Sequence, residues 1–295
     1  MNKTAIALGF FDGLHLGHAE LIKTTIRRAA ECGAEPTVLT FDAHPDTYVS
    51  GKEVPLLTGS DERAEMIRRL FGVENVLFIH FSEEVMHMNW QAFLDSLRTE
   101  LGAVHLVVGH DFRFGYKGEG NASRLQAYCG EFSMGSDVIP PVKLDGEIIS
   151  STRIRELVRS GEIGAANALL GHPHELTDTV RYGYRLGRRM GTPTINMRVP
   201  DHVIVPRFGV YATRVFFEGE EHIAVTNVGV RPTVKHGTEP SVESYILDYS
   251  GNLYGKRVRV EFHAFLRPEQ KFADITALKE QIFRDETAAR DYFAR

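Results

Sequence analysis

The sequence has few cysteines and no long apolar run. Only Cys32 and Cys129 occur among 295 residues, too few for a disulfide framework, so we expect reduced thiols. No stretch reaches the roughly 18 consecutive apolar residues of a membrane-spanning helix. The first residues also lack the apolar segment of a secretion signal. We therefore expect a soluble, cytoplasmic protein.

The sequence also lacks an excess of positive charge. Its formal net charge is −5 and its pI is about 6.2, so no overall basic field would draw it to nucleic acid. We expect no nucleic-acid or membrane partner and no obligatory protein partner. The composition is ordinary for a globular protein, and the length is typical of about two domains.

In the first half of the chain, short apolar segments alternate with amphipathic ones. Buried parallel strands read as continuous apolar runs, so the alternation predicts an α/β domain with a parallel, Rossmann-like sheet between helices. The predicted strands are 4–10, 37–41, 75–81, 104–109 and 136–142, and the predicted helices are 16–32, 60–71, 89–101, 152–159 and 162–170.

The pattern changes to period two after Gly171. Between residues 257 and 266, alternate apolar side chains are predicted to share one face: Val258, Val260, Phe262, Ala264 and Leu266. Further strands are predicted at 177–186, 208–217, 221–228 and 242–249, before a helix at 274–293. This spacing predicts an antiparallel barrel or sandwich, and we place the domains at 1–170 and 171–295.

Segment 9–18, which reads GFFDGLHLGH, connects a predicted strand to a predicted helix. Helix N-termini attract phosphate, and glycines permit a close backbone approach to a ligand. His15 and His18 are spaced to share one side of the first helical turn. Two alternatives remain open, a metal site including Asp12 and an ordinary strand–turn–helix. The ligand-binding candidates are Gly9, Phe10, Asp12, Gly13, Gly17, His15 and His18.

Two later segments favour a phosphate site. Asp111 follows a predicted strand, where open α/β sheets bind ligands. Ser151, Thr152 and Arg155 begin a predicted helix, although simple N-capping also explains the two hydroxyls. None of these segments contains an obvious general base. This favours an anionic nucleophile, such as a phosphomonoester attacking the α-phosphate of ATP.

The second half contains a basic, glycine-rich segment followed by PTIN at 193–196. Thr194 and Asn196 would share one face of an extended strand, and their oxygens suit Mg²⁺ bound with nucleotide phosphates. The alternative is a polar hairpin that carries basic side chains. The further nucleotide-binding candidates here are Gly187, Arg188 and Gly191.

Glu243 lies in a strand-like run and shares a face with Tyr245 and Leu247. If that face is internal, the carboxylate lies on an apolar surface, which is costly unless the group is paired or functional. An exposed strand glutamate is the alternative.

Together these segments resemble the prokaryotic bifunctional riboflavin kinase/FAD synthetase (FMN adenylyltransferase) family along the whole chain. The matching segments, in order, are GFFDGLHLGH at 9–18, DFRFG at 111–115, ISSTRIR at 149–155, GRRMGTPTIN at 187–196, NVGVRPT at 227–233, Glu243 with ILD at 246–248, and LYG at 253–255. The chain departs from the family pattern at Thr192, Ile195, Tyr245 and Gly118.

The resemblance implies a nucleotidyltransferase domain followed by a six-stranded flavokinase β-barrel with a terminal helix. It implies that riboflavin is phosphorylated to FMN in the barrel, and that FMN is adenylylated to FAD in the first domain. ATP is then the co-substrate, with Mg²⁺. There are two alternatives. The chain has adenylyltransferase activity only, or it is a non-catalytic regulator that binds flavin or nucleotide.

The resemblance also implies roles for nine of the candidate residues. His15, His18 and Arg155 act in adenylyl transfer, and Asp111, Ser151 and Thr152 bind ATP. Thr194 and Asn196 hold the Mg²⁺-nucleotide, and Glu243 is the base for the ribityl 5′-hydroxyl.

Overall fold

A computed structural model describes residues 2–43, 47, 53–80, 82–181, 194–200, 202–232 and 238–294. The chain divides into two compact units, Met1–Val54 with Thr58–Ser151, and Pro55–Leu57 with Thr152–Arg295. The helices after Ser151 are thus grouped with the second unit, whereas the sequence places them before the domain boundary. One contact that holds them there is the Asn167 amide, which donates to the Phe262 carbonyl oxygen at 2.8 Å.

The first unit contains a five-stranded parallel sheet in the order β3-β2-β1-β4-β5. Its strands are β1 (Thr4–Leu8), β2 (Glu35–Phe41), β3 (Asn75–Ile79), β4 (Ala103–Gly109) and β5 (Gly135–Ile139), and a small hairpin pairs β6 (Lys143–Leu144) with β7 (Glu147–Ile148). The helices are α1 (Leu16–Cys32), α2 (Ser60–Phe71), α3 (Glu83–His87), α4 (Trp90–Glu100) and α5 (Ala122–Glu131).

Apolar cores lie on both faces of this sheet, as expected for parallel strands. One core packs Leu94 and Leu97 of α4 against β1 and β4, and the other packs Ile22 and Ile67 against β1 and β2. Helices α3 and α5 were not predicted. Their N-termini carry clear local signals, because Ser82 and Asn121 cap them with side-chain oxygens.

Besides Pro55–Leu57, the second unit contains α6 (Ser151–Ser160), whose first residue belongs to the first unit, and α7 (Ile163–Leu170). It continues as a six-stranded antiparallel sheet in the order β8-β13-β10-β11-β12-β9. The strands are β8 (His174–Thr179), β9 (Thr194–Arg198), β10 (Gly209–Phe217), β11 (Glu220–Pro232), β12 (Thr238–Ile246) and β13 (Arg257–Arg267), followed by α8 (Ile275–Phe293). The sheet curls into a half-barrel, and its two edge strands approach each other at one point. There, a single bridge connects Arg181, which follows β8, with Asn196 of β9. The predicted fold class is confirmed.

The inner face of the half-barrel contains a short chain of hydroxyl groups. Thr213 and Thr226 hydrogen-bond at 2.7 Å, and Thr226 and Ser244 at 2.8 Å. All three side chains are fully buried, and their mutual bonding satisfies polar groups inside an apolar core. On the outer face, Val210 and Val225 pack against Ala289 of α8.

The prediction that alternate residues of β13 share one face is wrong beyond Phe262. The pairing with β10 shifts between Ala212 and Thr213, which inserts His263 as an extra residue. Such a bulge moves the following side chains to the opposite face of the sheet. Phe262 therefore packs inside, whereas Ala264 and Leu266 join the outer cluster under α8.

Two further features concern the cysteines and the helices of the chain. Cys32 and Cys129 are both free thiols, and burial raises the pKa of Cys129 to about 11. Among the described residues, no helix combines the length and apolar character needed to cross a membrane.

Candidate active sites

The turn between β1 and α1 has an unusual backbone. Phe11, Gly13 and Leu14 have φ angles of 56°, 74° and 44°, in the left-handed region that only glycine adopts without strain. The surrounding structure must therefore hold the turn in place.

Asp12 is one of the groups that hold this turn. Its Oδ1 accepts the Thr58 N–H at 3.1 Å, and Thr58 Oγ1 accepts the Gly13 N–H at 3.2 Å. The hydroxyl of Ser151 donates to the Asp12 carbonyl oxygen at 3.0 Å. Asp12 is 1% exposed, so its carboxylate organises the turn from within the protein. Sequence reasoning missed Thr58, which is distant in the chain.

His15 caps the N-terminus of α1. Its Nδ1 accepts the His18 N–H at 3.2 Å, which satisfies one of the free donors at the helix start. A Cβ on Gly17 would lie 3.0 Å from His15 Cε1 and 3.1 Å from His15 Nδ1. Glycine at position 17 thus leaves room for this placement of the His15 ring, which a Cβ would push away by a few tenths of an ångström. Because Nδ1 accepts, the neutral His15 ring carries its proton on Nε2.

His18 stacks on His15, and the edge of the Phe11 ring contacts it from another side at a centroid distance of 5.3 Å. The ring of His18 is partly exposed, but its Nδ1 is buried and has no hydrogen-bond partner among the described residues. Burial lowers the pKa of His18 well below its ordinary value, and the positive charge of Arg63 lowers it further, as a proton on His15 would also do. His18 is therefore neutral at physiological pH.

A cleft of about 330 Å³ opens beside these histidines in the first unit. It lies at the carboxyl ends of β1 and β4, where parallel sheets place their ligand sites. Seven of the predicted residues line it: Gly9, Phe10, His15, Gly17, His18, Asp111 and Ser151. The side chain of Asp111 is 82% exposed and so reaches into solvent at the cleft.

Two other predicted residues, Thr152 and Arg155, belong to the second compact unit. Thr152 is exposed and Arg155 is 8% exposed. Their binding of ATP stays a prediction. In the described part of the chain, no group of three or more His, Cys, Asp or Glu side chains is arranged to hold a metal ion. The metal-site reading of His15 and His18 thus has no third ligand there.

In the second unit, Glu243 lies between two asparagines. On β12 it pairs with Asn196 of β9 on one side and with Asn227 of β11 on the other. Its neighbour Ser244 points into the half-barrel, so Glu243 points outward, because successive strand residues face opposite sides. The face that carries Glu243 is therefore the outer one, which α8 partly covers.

A cleft of about 320 Å³ lies on this outer face. One part of it is lined by Glu243, Tyr245 and Thr194. Apolar and polar side chains line the remainder: Val210, Val225, Asn227, Arg267, Glu269, Gln270, Phe272, Leu278, Ile282 and Asp285. A large, mostly apolar pocket with a few polar groups suits a flat aromatic ligand with a polar tail.

Arg267 and Asp285 form a buried ion pair at this cleft. The guanidinium of Arg267 contacts both carboxylate oxygens of Asp285, at 2.7 to 3.1 Å. The pair joins the end of β13 to the middle of α8. Sequence reasoning identified neither Asp285 nor Asn227 as lining residues, because their relation to Glu243 arises only when the strands and α8 pack.

A smaller pocket of about 70 Å³ adjoins Thr194 and Asn196, and Thr194 lines both pockets. The Oδ1 of Asn196 is buried and has no hydrogen-bond partner among the described residues. An uncompensated buried oxygen is costly, so this atom fits a cation ligand. The predicted residues Gly187, Arg188 and Gly191 lie outside the described residues.

A parallel sheet with a cleft at the carboxyl ends of its strands, and a curled antiparallel sheet with a cleft of its own, are typical of enzymes that bind small molecules. Residues 1–153 match the family model described as FAD synthetase, and residues 170–293 match the one described as riboflavin kinase. The chain belongs to the bifunctional riboflavin kinase/FMN adenylyltransferase family.

Individual relatives are similar over nearly their full length. A bifunctional riboflavin kinase/FMN adenylyltransferase from Listeria monocytogenes is 37% identical, with 98% of this chain and 92% of the relative covered. The protein of that name from Bacillus subtilis is 33% identical, with 99% and 93% covered. A crystal structure described as a macrolide-efflux protein from Streptococcus pneumoniae is similar with a TM-score of 0.87 and 29% identity, over 98% of this chain and 95% of that one.

Proposed function

We propose that this chain makes FAD from riboflavin in two successive transfers. In the second unit, the γ-phosphate of ATP is transferred to riboflavin, which gives FMN and ADP. In the first unit, FMN attacks a second ATP, which gives FAD and pyrophosphate. The observation that carries this proposal is that the two halves match two different enzyme families, and each half contains its own cleft lined by the predicted residues.

For adenylyl transfer, the nucleophile is the phosphate of FMN, which is already an anion and needs no base. A new P–O bond forms at the α-phosphorus of ATP as the bond to pyrophosphate breaks. Negative charge then grows on the leaving oxygens. His15 and His18, both neutral, donate hydrogen bonds to these oxygens, and the start of α1 adds a favourable dipole. Asp111 and Ser151, which line the same cleft, complete the proposed ATP site there, and the parts of Thr152 and Arg155 in ATP binding stay predictions of the family resemblance.

For phosphorylation of riboflavin, the nucleophile is a neutral alcohol, so a base is needed. Glu243 lies in the outer cleft and accepts the proton of the ribityl 5′-hydroxyl as its oxygen attacks the γ-phosphorus. The apolar part of the cleft, including Val225, Phe272 and Ile282, accommodates the flavin ring.

Thr194 and Asn196 would hold Mg²⁺ together with the nucleotide phosphates. The buried Oδ1 of Asn196 supports this assignment, as does the position of Thr194 between the two pockets. When bound, Mg²⁺ would neutralise phosphate charge during the transfer. Gly187, Arg188 and Gly191 would contact the same phosphates.

We also propose that the protein acts in the cytoplasm on small molecules alone, without nucleic acid, membrane or an obligatory protein partner. The two free thiols support a reducing compartment.

Incubation with riboflavin, ATP and Mg²⁺, followed by chromatographic separation of the flavins, tests the proposed function. We expect both FMN and FAD. A second reaction supplied with FMN isolates adenylyl transfer, so FAD from FMN without FMN from riboflavin would show an adenylyltransferase only. If the folded protein binds flavin but makes neither product, it is a regulator and both activities are excluded.

A further inference from the structure

A fully buried arginine stands behind the turn between β1 and α1. Arg63, in the first turn of α2, is 0% exposed. Its Nη1 donates to the Phe10 oxygen at 2.9 Å, to Thr40 Oγ1 at 3.0 Å and to the Phe41 oxygen at 2.9 Å. Phe10 follows β1, and the other two acceptors end β2. One corner of the guanidinium therefore joins the carboxyl ends of two neighbouring strands.

The guanidinium of Arg63 has no direct ion pair among the described residues, although the carboxylates of Asp12, Asp42 and Glu62 are near enough to favour its charged form. Its Nε and Nη2 are buried without a hydrogen-bond partner among the described residues, and no carboxylate there is in ion-pair contact with it. Burial lowers its pKa to about 10, which leaves it protonated at neutral pH. Burying a cation without a direct ion pair is costly, and the three neutral acceptors of Arg63 do not require a positive charge.

Arg63 reaches the adenylyl-transfer cleft through Phe10. The guanidinium lies 4.2 Å from the centre of the Phe10 ring, and Phe10 lines the cleft. The Phe10 oxygen accepts from both Arg63 and Thr40. Because a trans peptide points its C=O and N–H in opposite directions, these two bonds turn the Phe11 N–H away from α2. Phe11 in turn contacts the ring of His18.

We propose that Arg63 is a positioning residue of the adenylyl-transfer site. It holds turn 10–14 so that His18 contacts the phosphates of ATP, and its own charge adds positive potential behind those phosphates. This inference rests on the proposed FMN adenylylation. According to this inference, a buried side chain of α2 supplies a fixed positive charge to the reaction. Neither of the two neutral histidines supplies such a charge.

The electrostatic part of the inference has a measurable consequence for His18. The groups that act on the His18 ring are His15, just before α1, and Arg63 of α2. The groups that act on Arg63 are Asp12 of the turn, Asp42 after β2 and Glu62 of α2. Removal of the Arg63 charge raises the pKa of His18 towards its ordinary value. His18 then becomes protonated at a higher pH.

The test compares Arg63→Met and Arg63→Lys in the full chain. For each, kcat and KM for FAD formation from FMN are measured across pH, with FMN formation from riboflavin as the internal control. We expect Arg63→Met to lower kcat for FAD about a hundredfold, as for a slightly misplaced reacting group, and to move the acid limb of the profile to higher pH. We expect Arg63→Lys to keep the wild-type acid limb with an intermediate kcat, and FMN formation to stay unchanged in both.

Arg28→Met is the matched control. Arg28 lies on α1 in the same unit and pairs with Asp137 at 2.7 and 3.0 Å. Its loss removes one arginine and destabilises the unit without touching the turn, so we expect no change in the pH profile. If Arg63→Met lowers the melting temperature but leaves kcat and the acid limb as in Arg28→Met, Arg63 is only structural and the inference is overturned.

Two further readouts make the outcome decisive. If Arg63→Met does not fold, Arg63→Lys decides, because a wild-type kcat in that variant overturns the positioning role. An NMR titration of the His18 ring in wild type and variants is independent of catalysis. An unshifted His18 pKa in folded Arg63→Met rejects the electrostatic role. A wild-type chain that makes no FAD from FMN, but whose His18 pKa still depends on Arg63, rejects the proposed function instead.

Discussion

The imidazole rings of His15 and His18 lie face to face, with centroids 3.7 Å apart and planes 12° from parallel. His15 uses its Nδ1 to accept the His18 N–H, so its remaining proton is on Nε2. Burial first, and then the positive charge of Arg63, keep the His18 ring neutral. The pair therefore offers hydrogen-bond donors and not cations. This suits oxygens whose charge rises only during the transfer.

We expect His18→Ala to lower FAD formation from FMN by about 10²–10³-fold, the usual loss when one donor to a developing negative charge is removed. FMN formation from riboflavin should stay at the wild-type rate, because Glu243 and its cleft are in the second unit. Chromatographic separation of the flavins measures both rates in one chain. An unchanged rate of FAD formation would falsify the role of His18.

We expect Gly17→Ala to lower FAD formation, because its methyl group would lie about 3 Å from the His15 ring and displace it. Gly164→Ala is the matched control. It also replaces a helical glycine, but a Cβ there meets nothing within 4 Å. Alanine is the better helix former by about 1 kcal/mol, so the control should raise the melting temperature slightly and leave both activities unchanged. Equal effects of the two substitutions would contradict the requirement for glycine at position 17.

We expect Glu243→Gln to lower FMN formation by roughly 10²–10⁴-fold, because the amide cannot accept the hydroxyl proton. FAD formation from supplied FMN should be unaffected. Glu239→Gln is the control on the same strand, where the carboxylate is exposed and lies 3.7 Å from Arg198. Steady-state rates with each substrate distinguish the two variants. A comparable loss of kinase activity in both would show that general damage to β12 is the cause.

We expect Asp285→Asn to destabilise the protein by about 3–5 kcal/mol, because it leaves the Arg267 charge beside a neutral group in a buried contact. It should also raise KM for riboflavin, since both residues line the outer cleft. Glu280→Gln is the control on the same helix. It breaks an exposed pair with Arg284 and should cost at most about 1 kcal/mol. Denaturant unfolding and kinase kinetics measure the two effects, and similar unfolding curves for both variants would contradict this prediction.

We expect the stability of the second unit to fall as the pH is lowered from about 6.5 to about 4. His174 is 2% exposed, and burial lowers its pKa from 6.5 to about 4. In this window the unfolded chain binds a proton that the folded protein excludes, so folding loses about 3 kcal/mol in total. Above pH 6.5 the effect is absent. Calorimetry of the full chain measures this, and His174→Phe should weaken the dependence. If His174→Phe and the wild type show the same pH dependence of stability, groups other than His174 cause that dependence.

Local sequence patterns predicted most of the elements. The helix predicted at 60–71 coincides with α2, and those predicted at 152–159 and 162–170 differ from α6 and α7 by one residue at each affected end. These patterns succeed because apolar periodicity reflects which side of a helix or strand is buried. The predicted strand at 177–186 begins three residues late relative to β8, and its second part lies largely outside the described residues.

The sequence did not identify the groups that hold the first site together. Thr58 and Arg63 contact the turn from positions 46 and 53 residues away from their partners Asp12 and Phe10. Sequence spacing carries no information about such contacts, because they depend on how α2 packs against β1 and β2. That Asp12 takes part in ligand binding stays a prediction, to which the structure adds that its carboxylate accepts the Thr58 N–H inside the protein.

Glu243 shows where the two sources of information divide. The sequence by itself determined that Glu243 and Tyr245 share one face of a strand, because side chains alternate along any extended chain. It could not determine which face becomes the cleft, since either side of a barrel strand can be covered by apolar residues. The tertiary structure decided this, because α8 packs over the outer face and brings Asp285 and Ile282 opposite Glu243. Residue types and local periodicity can be determined from the sequence, whereas the surroundings of a side chain depend on long-range packing.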